Sequence, residues 1–130
     1  MSHFEEYKYL IERSKRFYET AIIQIEKEYY DLAAFSLEQG LQLFLKATLI
    51  KIELEYPRTQ SIRRLLELIY EVTEKDEIKY IMQKFLVELA LLEDIYITSR
   101  YIPREYRKDE VLKIKETVDE VINVVGKIVN

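Results

Sequence analysis

The sequence predicts an all-α protein, an antiparallel up-and-down four-helix bundle with one extra short helix. Apolar residues recur at intervals of three and four over long stretches, which is the period of an amphipathic helix. The strict alternation of a half-buried strand is nowhere sustained. Long helices joined by short breaks favour an antiparallel bundle. A chain of 130 residues is expected to form a single domain, residues 1–130.

The first two helices are expected at Phe4–Glu28 and Leu32–Glu55. Asp31 is a candidate N-cap of the second helix, because its carboxylate can accept hydrogen bonds from the free amides of the first turn. Pro57 ends this helix, since proline disfavours helical geometry in the residue before it. The apolar stripe of the first helix consists of Tyr7, Leu10, Ile11, Phe17, Tyr18, Ala21, Ile22 and Ile25.

Three further helices follow. A short third helix, capped by Thr59 or Ser61, ends near Thr73. A fourth helix is expected at Asp76–Thr98 and a fifth at Lys108–Val129. The inward face of the fifth helix is predicted to consist of Val111, Ile114, Val118, Val121, Ile122 and Val125.

The composition excludes several classes of site. Zero cysteines exclude a disulfide scaffold, a thiol nucleophile and a cysteine–zinc site. The single histidine, His3, lies at the N-terminus, so chemistry that needs an internal imidazole cannot be built within one chain. Two glycines exclude a P-loop and a GxGxxG loop. The acid pairs Glu71/Glu74 and Glu93/Asp94 lack the Glu-x-x-His of a di-iron bundle and are expected on solvated faces. No metal and no cofactor is predicted.

The charge and hydropathy patterns bear on location and partners. No apolar run of transmembrane length is free of charge, and residues 1–15 do not resemble a signal peptide. We therefore expect a cytoplasmic protein with no membrane partner. A net charge of −4 disfavours sequence-specific binding of DNA. Glutamate and lysine dominate the charge, a balance common in thermophiles, so a thermophilic source is expected.

The second helix carries polar residues close to its core stripe. Ser36, Gln39 and Lys46 share one side of this helix, beside the apolar stripe rather than opposite it. They can form a polar seam that faces a cavity, or a solvated boundary along which the lysine stem lies; base rates favour the boundary. Gly40 indicates either close approach by another backbone or simple tolerance. The core stripe consists of Ala34, Leu37, Leu41, Phe44, Leu45 and Leu49.

Two basic clusters stand out in this acidic chain, and both lie at helix junctions. The break at residues 99–107, extended to Lys108, carries a net charge of +3, and so do residues 57–64. Guanidinium groups bind phosphate oxygens in pairs and tyrosine rings stack on bases, so a nucleotide or an RNA phosphate is a reasonable ligand. The alternative is a solvated loop whose arginines pair with carboxylates. The arginines are Arg100, Arg104 and Arg107 in the first cluster and Arg58, Arg63 and Arg64 in the second.

Three segments resemble HEPN domains (higher eukaryotes and prokaryotes nucleotide-binding). Residues 30–39, YDLAAFSLEQ, with Leu45-Lys46-Ala47 beyond them, resemble the second helix of the family. Pro57-Arg58-Thr59 resembles the opening of the next helix, and Arg100-Tyr101-Ile102-Pro103 the end of the long fourth helix. Their order and spacing match, and the resemblance covers nearly the whole chain.

The resemblance implies an up-and-down four-helix bundle with an extra short helix, often a homodimer. It also implies a partner, because many prokaryotic members are encoded beside a small nucleotidyltransferase, often as a toxin–antitoxin pair. Many HEPN proteins are RNases with an Arg-x(4–6)-His motif, and the motifs of two protomers meet at the dimer interface to form one composite site.

The sequence departs from that RNase motif. Arg100 matches the arginine, but the window beyond it contains Glu105, Tyr106 and Arg107 and no histidine. Arg100 and Tyr106 are the candidate catalytic residues, since an Arg-x5-Tyr pair resembles the motif of some nucleotidyltransferase-linked members, in which a nearby tyrosine is nucleotidylated. A free tyrosine is mostly a phenol at pH 7, and a lost general base costs about 10²–10⁴ in rate. The chain is therefore predicted to be a poor RNase, or none, on its own.

Three hypotheses follow. The preferred one is a binding module that acts with a nucleotidyltransferase. The first alternative is a metal-independent RNase in which Tyr106 or Glu105 replaces the histidine. The second is a structural helical adaptor that binds another protein. In the preferred hypothesis the ligand-binding residues are Arg100, Arg104, Tyr101, Lys46, Gln39 and Arg58.

Overall fold

The computed structural model describes residues 2–52, 55 and 58–130. Every regular element in this part of the chain is an α-helix, which confirms the predicted all-α class. Six helices are found there, one more than the sequence predicts. They are α1 (His3–Glu26), α2 (Tyr30–Lys51), α3 (Ile62–Thr73), α4 (Asp76–Lys84), α5 (Leu86–Tyr101) and α6 (Lys108–Val129).

Helix α2 lies at the centre of the fold. It packs against α1, α3, α5 and α6. Between Ala33 and Ile50 only three of its side chains are more than marginally accessible, as expected for a helix covered on all sides. The predicted core stripe is buried except for Phe44, which is half-buried. The largest fully buried side chains around it include Ile62, Leu65, Leu66, Ile69, Ile78, Ile81, Phe85 and Leu89.

The ends of α2 differ from the predicted ones. The expected cap at Asp31 is wrong: Tyr29 is the N-cap, and no side chain caps the helix. The turn between α1 and α2 ends before the predicted position. There Glu28 adopts a left-handed φ of 63°, and the Tyr29 N–H donates to the Gln24 carbonyl at 2.8 Å. Asp31 therefore lies in the first turn, where its charge still complements the helix dipole.

At its other end α2 stops at Lys51, with Ile52 as C-cap, which is earlier than the predicted end at Glu55. The proposed stop at Pro57 lies outside the described residues.

The predicted fourth helix is two helices. α4 and α5 are separated at Phe85, whose backbone has φ −108° and ψ 31° and whose ring is buried. Hydrogen bonds from Phe85 N–H to Ile81 and from Leu89 N–H to Phe85 continue across the break, so it is a kink rather than a loop. α5 also runs to Tyr101, which places Arg100 on a helix instead of in the predicted break.

The other predicted boundaries agree closely with the structure. Ser61 caps α3 through a hydrogen bond from the Arg64 amide, and α6 has the predicted bounds. The predicted inward face of α6 is buried, apart from Ile122, which is half-buried.

Polar contacts also tie neighbouring helices together. Tyr18 on α1 donates to the Asp119 carboxylate on α6. Glu93 on α5 accepts hydrogen bonds from the Ser61 hydroxyl and from the backbone and guanidinium of Arg63. The expectation that Glu93 lies on a solvated face is therefore wrong, because its carboxylate anchors the start of α3.

Among the described residues, none of the helices has both the length and the apolar character needed to cross a membrane.

Candidate functional site

A groove of about 310 Å³ lies where the N-terminal end of α2 meets the C-terminal end of α5. The segment after α5 forms its third side. Its lining is mixed, with aromatic, basic and hydroxyl side chains and one carboxylate. The lining residues are Asp31, Leu32, Phe35, Thr98, Ser99, Arg100, Ile102, Pro103, Arg104 and Tyr106.

Both arginines of the groove stack on tyrosine rings. The Arg100 guanidinium carbon lies 4.4 Å from the centroid of Tyr96, and that of Arg104 lies 4.0 Å from the centroid of Tyr106. Stacking occupies the face of a guanidinium and leaves the N–H groups at its edge available to an acceptor in its plane. Arg104 already donates from this edge to Glu110 at 3.0 Å.

Arg100 differs from most arginines of the two basic clusters. In the described part of the chain its guanidinium forms no hydrogen bond or ion pair with another side chain. Arg58 is exposed, but residues 56 and 57 beside it lie outside the described part. The alternative prediction, that the arginines of these clusters pair with carboxylates, is thus correct for four of the six arginines. The pairs are Arg104–Glu110 (3.0 Å), Arg107–Asp109 (3.2 Å), Arg63–Glu93 (2.8 Å) and Arg64–Glu67 (3.1 Å).

The backbone at one end of the groove also suits an anion. The first-turn amides of α2 lie beside it, and no side chain caps this helix end. The Thr98 Oγ1 is buried and has no hydrogen-bond partner among the described residues. Asp31 acts in the opposite direction, since its negative charge lies in the same first turn.

A ladder of polar side chains follows one side of α2. The Glu38 oxygens accept from Gln39 Nε2 at 2.7 Å and from Gln42 Nε2 at 2.8 Å. Lys46 Nζ donates to Gln42 Oε1 and to Gln60 Oε1, both at 3.0 Å. The ladder therefore joins the middle of α2 to the segment that precedes α3.

The solvated-boundary interpretation of this side of α2 is wrong. Ser36 and Lys46 are each only 3% exposed, and Glu38 is fully buried. Ser36 donates to Gln24 Oε1 on α1 at 2.7 Å, while Gln39 is half-buried. Polar side chains do form a buried seam, but Ser36, Gln39 and Lys46 hydrogen-bond to other residues rather than to one another, and none of them lines the groove at the ends of α2 and α5.

Burial dominates the electrostatics of the ladder. Burial raises the pKa of Glu38 to about 7, although hydrogen bonds from Gln39 and Gln42 and the charges of Lys46 and Arg100 act to lower it. Burial also lowers the pKa of Lys46, while the charge of Glu38 acts to raise it. Arg100, on α5, forms no direct ion pair with Glu38 in the described structure.

The structure brings only part of the predicted site together. Arg100, Arg104 and Tyr106 line one groove, whereas Tyr101 is 76% exposed and is not among its lining residues. Lys46 lies eight residues beyond Glu38 on the same helix, or about 12 Å along its axis.

Sequence reasoning missed Glu38 and Gln42. Their i, i+4 spacing with Lys46, at positions 38, 42 and 46, is a signal that could have identified them.

Neither of two other possible sites offers comparable chemistry. A groove of about 390 Å³ between α1 and α6 is largely apolar, and two of its polar groups, Tyr18 and Asp119, are hydrogen-bonded to each other. Among the described residues no cluster of three or more His, Cys, Asp or Glu side chains could hold a metal ion.

Comparison with known families gives one finding. A family model described as HEPN domain matches residues 7–128, nearly the whole chain. A comparison with curated proteins gives no match.

Proposed function

The chain belongs to the HEPN domain family, and on that premise we propose that it is a module that binds a nucleotide or an RNA phosphate through Arg100. HEPN membership suggests a function related to nucleotides or RNA, and HEPN domains often dimerise. The observation that carries the assignment to Arg100 is its geometry. Its guanidinium stacks on Tyr96, lines the groove and makes no side-chain hydrogen bond in the described structure.

The rest of the groove supports the same ligand class. The uncapped α2 terminus supplies donors to phosphate oxygens. Phe35 and Tyr106 supply aromatic surface for a base. Arg104 adds positive charge, which its ion pair with Glu110 partly offsets.

The family resemblance implies partners and an overall architecture for this chain. We propose a homodimer, an up-and-down four-helix arrangement, and a small nucleotidyltransferase as the partner, in a toxin–antitoxin-like pair that acts in the cytoplasm. In this arrangement the partner supplies the chemistry, and the present chain supplies the binding surface. The absence of a histidine near Arg100 supports this division of roles.

Binding of a single-stranded RNA oligonucleotide, measured by fluorescence anisotropy with and without competing ATP, GTP and AMP, tests the proposal. Arg100→Ala is expected to weaken binding about tenfold or more, because it removes a charge-assisted hydrogen bond. Arg107→Ala is the matched control: Arg107 is exposed and its guanidinium already pairs with Asp109. An affinity that is the same in wild type and Arg100→Ala, or no binding by wild type, contradicts the proposal.

The RNase alternative has its own test. Incubation of the purified protein with RNA is expected to give no sustained cleavage. Cleavage that is lost in both Arg100→Ala and Tyr106→Phe would instead establish an RNase that works without histidine. Tyr106 is half-buried, and the Arg104 guanidinium lies over its ring.

A further inference from the structure

Asp31 supplies the carboxylate that lines the groove containing Arg100. Its predicted role was to cap α2, but Tyr29 is the N-cap and no side chain caps this helix. Asp31 is exposed, and in the described part of the chain its side chain forms no hydrogen bond or ion pair. The carboxylate is therefore available to a ligand in the groove.

Neither arginine of the groove pairs with Asp31 in the described structure. The Arg104 guanidinium donates to Glu110 at 3.0 Å, and that of Arg100 stacks on Tyr96. The negative charge of Asp31 opposes the binding of a phosphate alone. A ligand that suits both ends of the groove therefore carries an anionic group for Arg100 and, at a second point, hydrogen-bond donors for the carboxylate.

The wall of the groove that α2 forms suits a flat base. It consists of Asp31, Leu32 and Phe35, whereas the arginines come from the end of α5 and the segment after it. Asp31 and Phe35 are four residues apart, so they lie on the same side of α2 with about 5–6 Å between their Cβ atoms. An edge-to-face contact with Phe17 of α1, with ring centroids 6.5 Å apart, helps to hold the Phe35 ring in place. An aromatic surface thus lies one helical turn from a carboxylate.

We propose that Asp31 selects guanine: its carboxylate accepts the N1–H and a 2-amino N–H of a guanine base that lies against Phe35, while Arg100 binds the phosphate of the same nucleotide. This inference rests on the proposed function. A groove of about 310 Å³ is near the lower limit for ligand sites and suits one nucleotide.

The choice of guanine follows from its pattern of donors. Guanine presents two adjacent N–H donors on its Watson–Crick edge, and an ionised carboxylate presents two acceptors and no donor. Adenine, cytosine and uracil each present one donor on this edge beside an acceptor. A base of these three kinds leaves one carboxylate oxygen facing an acceptor or a C–H group, which disfavours it beside Asp31.

Isothermal titration calorimetry with mononucleotides tests the proposal. Wild type is expected to bind GMP about tenfold more tightly than AMP, as a bidentate pair with a base edge would give. IMP keeps the N1–H but lacks the 2-amino group, so its affinity is expected to lie between the two. The ratio of the GMP and AMP affinities is the readout, because the phosphate and its interaction with Arg100 are common to both ligands.

Asp31→Asn is expected to abolish the preference for GMP over AMP. The amide keeps the size of the carboxylate but replaces one acceptor with a donor, which opposes a donor of guanine. The same amide matches xanthine, which carries a carbonyl oxygen in place of the 2-amino group. The affinity for XMP relative to GMP is therefore expected to rise about tenfold or more in this variant.

Asp76→Asn is the matched control. Asp76 is an exposed acid in the first turn of α4 and does not line the groove. Its replacement removes the same charge from the same position of a helix, so the ratio of GMP to AMP affinity should stay at the wild-type value. A loss of preference in Asp31→Asn alone thus cannot come from net charge or from the helix dipole.

Several results would overturn the role of Asp31 and leave the phosphate site intact, provided that Arg100→Ala weakens binding of RNA. They are equal affinities of wild type for GMP and AMP, a preference for GMP that Asp31→Asn retains, and RNA binding without any binding of GMP. Equal affinities for GMP and AMP together with weak binding of deoxy-GMP would mean that the carboxylate accepts from the ribose 2′-hydroxyl instead. Wild-type binding of RNA that is absent, or unaffected by Arg100→Ala, overturns the proposed function and this proposal together.

Discussion

Lys46 Nζ lies 3.0 Å from Oε1 of Gln60, and this hydrogen bond joins the centre of α2 to the segment that leads into α3. The same ammonium donates to Gln42 at 3.0 Å and lies in the field of Glu38. An ammonium buried to this extent is retained in a protein only when it is well paired, since burial of a lone charge is costly. These contacts therefore indicate a structural role for Lys46, whereas the sequence predicted that Lys46 binds phosphate.

Lys46→Met separates these two roles. We expect the variant to lose about 3 kcal/mol of unfolding free energy, because the buried Gln42 and the half-buried Gln60 lose the donor to their acceptor oxygens and Glu38 loses a favourable charge. Urea denaturation measures this loss. Lys8→Met, an exposed lysine on α1, is the control and is expected to change the unfolding free energy by less than about 0.5 kcal/mol. Unchanged stability combined with lost RNA binding would support the phosphate-ligand role.

Glu38→Gln should alter how stability depends on pH. Burial raises the pKa of Glu38 from its ordinary 4.5 to about 7, so between these values the folded protein holds a proton that the unfolded chain has released. Stability must then fall as the pH rises through this window, by about 3 kcal/mol in total. The variant lacks this dependence.

The stability difference between Glu38→Gln and wild type should therefore change by about 3 kcal/mol between pH 4.5 and pH 8, in favour of the variant at pH 8. Urea unfolding at several pH values measures it. Parallel profiles for the two proteins would show that Glu38 does not titrate in this window.

Glu93→Gln tests the anchor at the start of α3. Burial alone would raise the pKa of Glu93, but hydrogen bonds from Arg63 and Ser61 outweigh it and lower the pKa. The stabilisation is therefore fully present above the ordinary value of 4.5 and is lost as the pH falls through the folded value.

At pH 7 the Glu93→Gln variant should be less stable than wild type by about 1–2 kcal/mol, and the difference should shrink in acid. Glu67→Gln is the control, because its exposed ion pair with Arg64 on the same helix is worth less than about 1 kcal/mol. Equal losses in the two variants would contradict the anchor.

Gly40 on α2 packs directly against the backbone of α1. A Cβ at this position would lie 3.4 Å from the Ser14 carbonyl oxygen and 3.7 Å from the Phe17 Cβ, at ordinary contact distance. Gly40→Ala should therefore fit and stabilise α2 by up to about 1 kcal/mol through helix propensity. Gly40→Leu should destabilise by about 1–3 kcal/mol through overpacking.

Thermal unfolding distinguishes these outcomes. Gly126→Ala on α6 is the control, since its Cβ would meet only the Phe44 ring at 3.9 Å. A Gly40→Ala variant that is as unstable as Gly40→Leu would mean that this contact requires glycine.

The helices were largely predictable because their signals are local. The period of apolar residues and the cap at Ser61 depend on neighbours within one or two turns, and the bounds of α6 agree with the prediction. The kink at Phe85 was not predictable, because the apolar period continues through it and its ring is buried by packing between helices. Arg100 was identified from its cluster and its motif, but its place on α5 was not.

The sequence by itself determined the helical class, the bounds of α3 and α6 and the arginine on which the proposed site depends. Only the tertiary structure decided which polar groups are buried and which charges are paired. Glu38 and Lys46 are buried because four other helices cover α2, and Arg104 is paired because α6 begins with Glu110 within reach. Helical period is a property of one segment, whereas burial and ion pairing are set by the segments that pack against it.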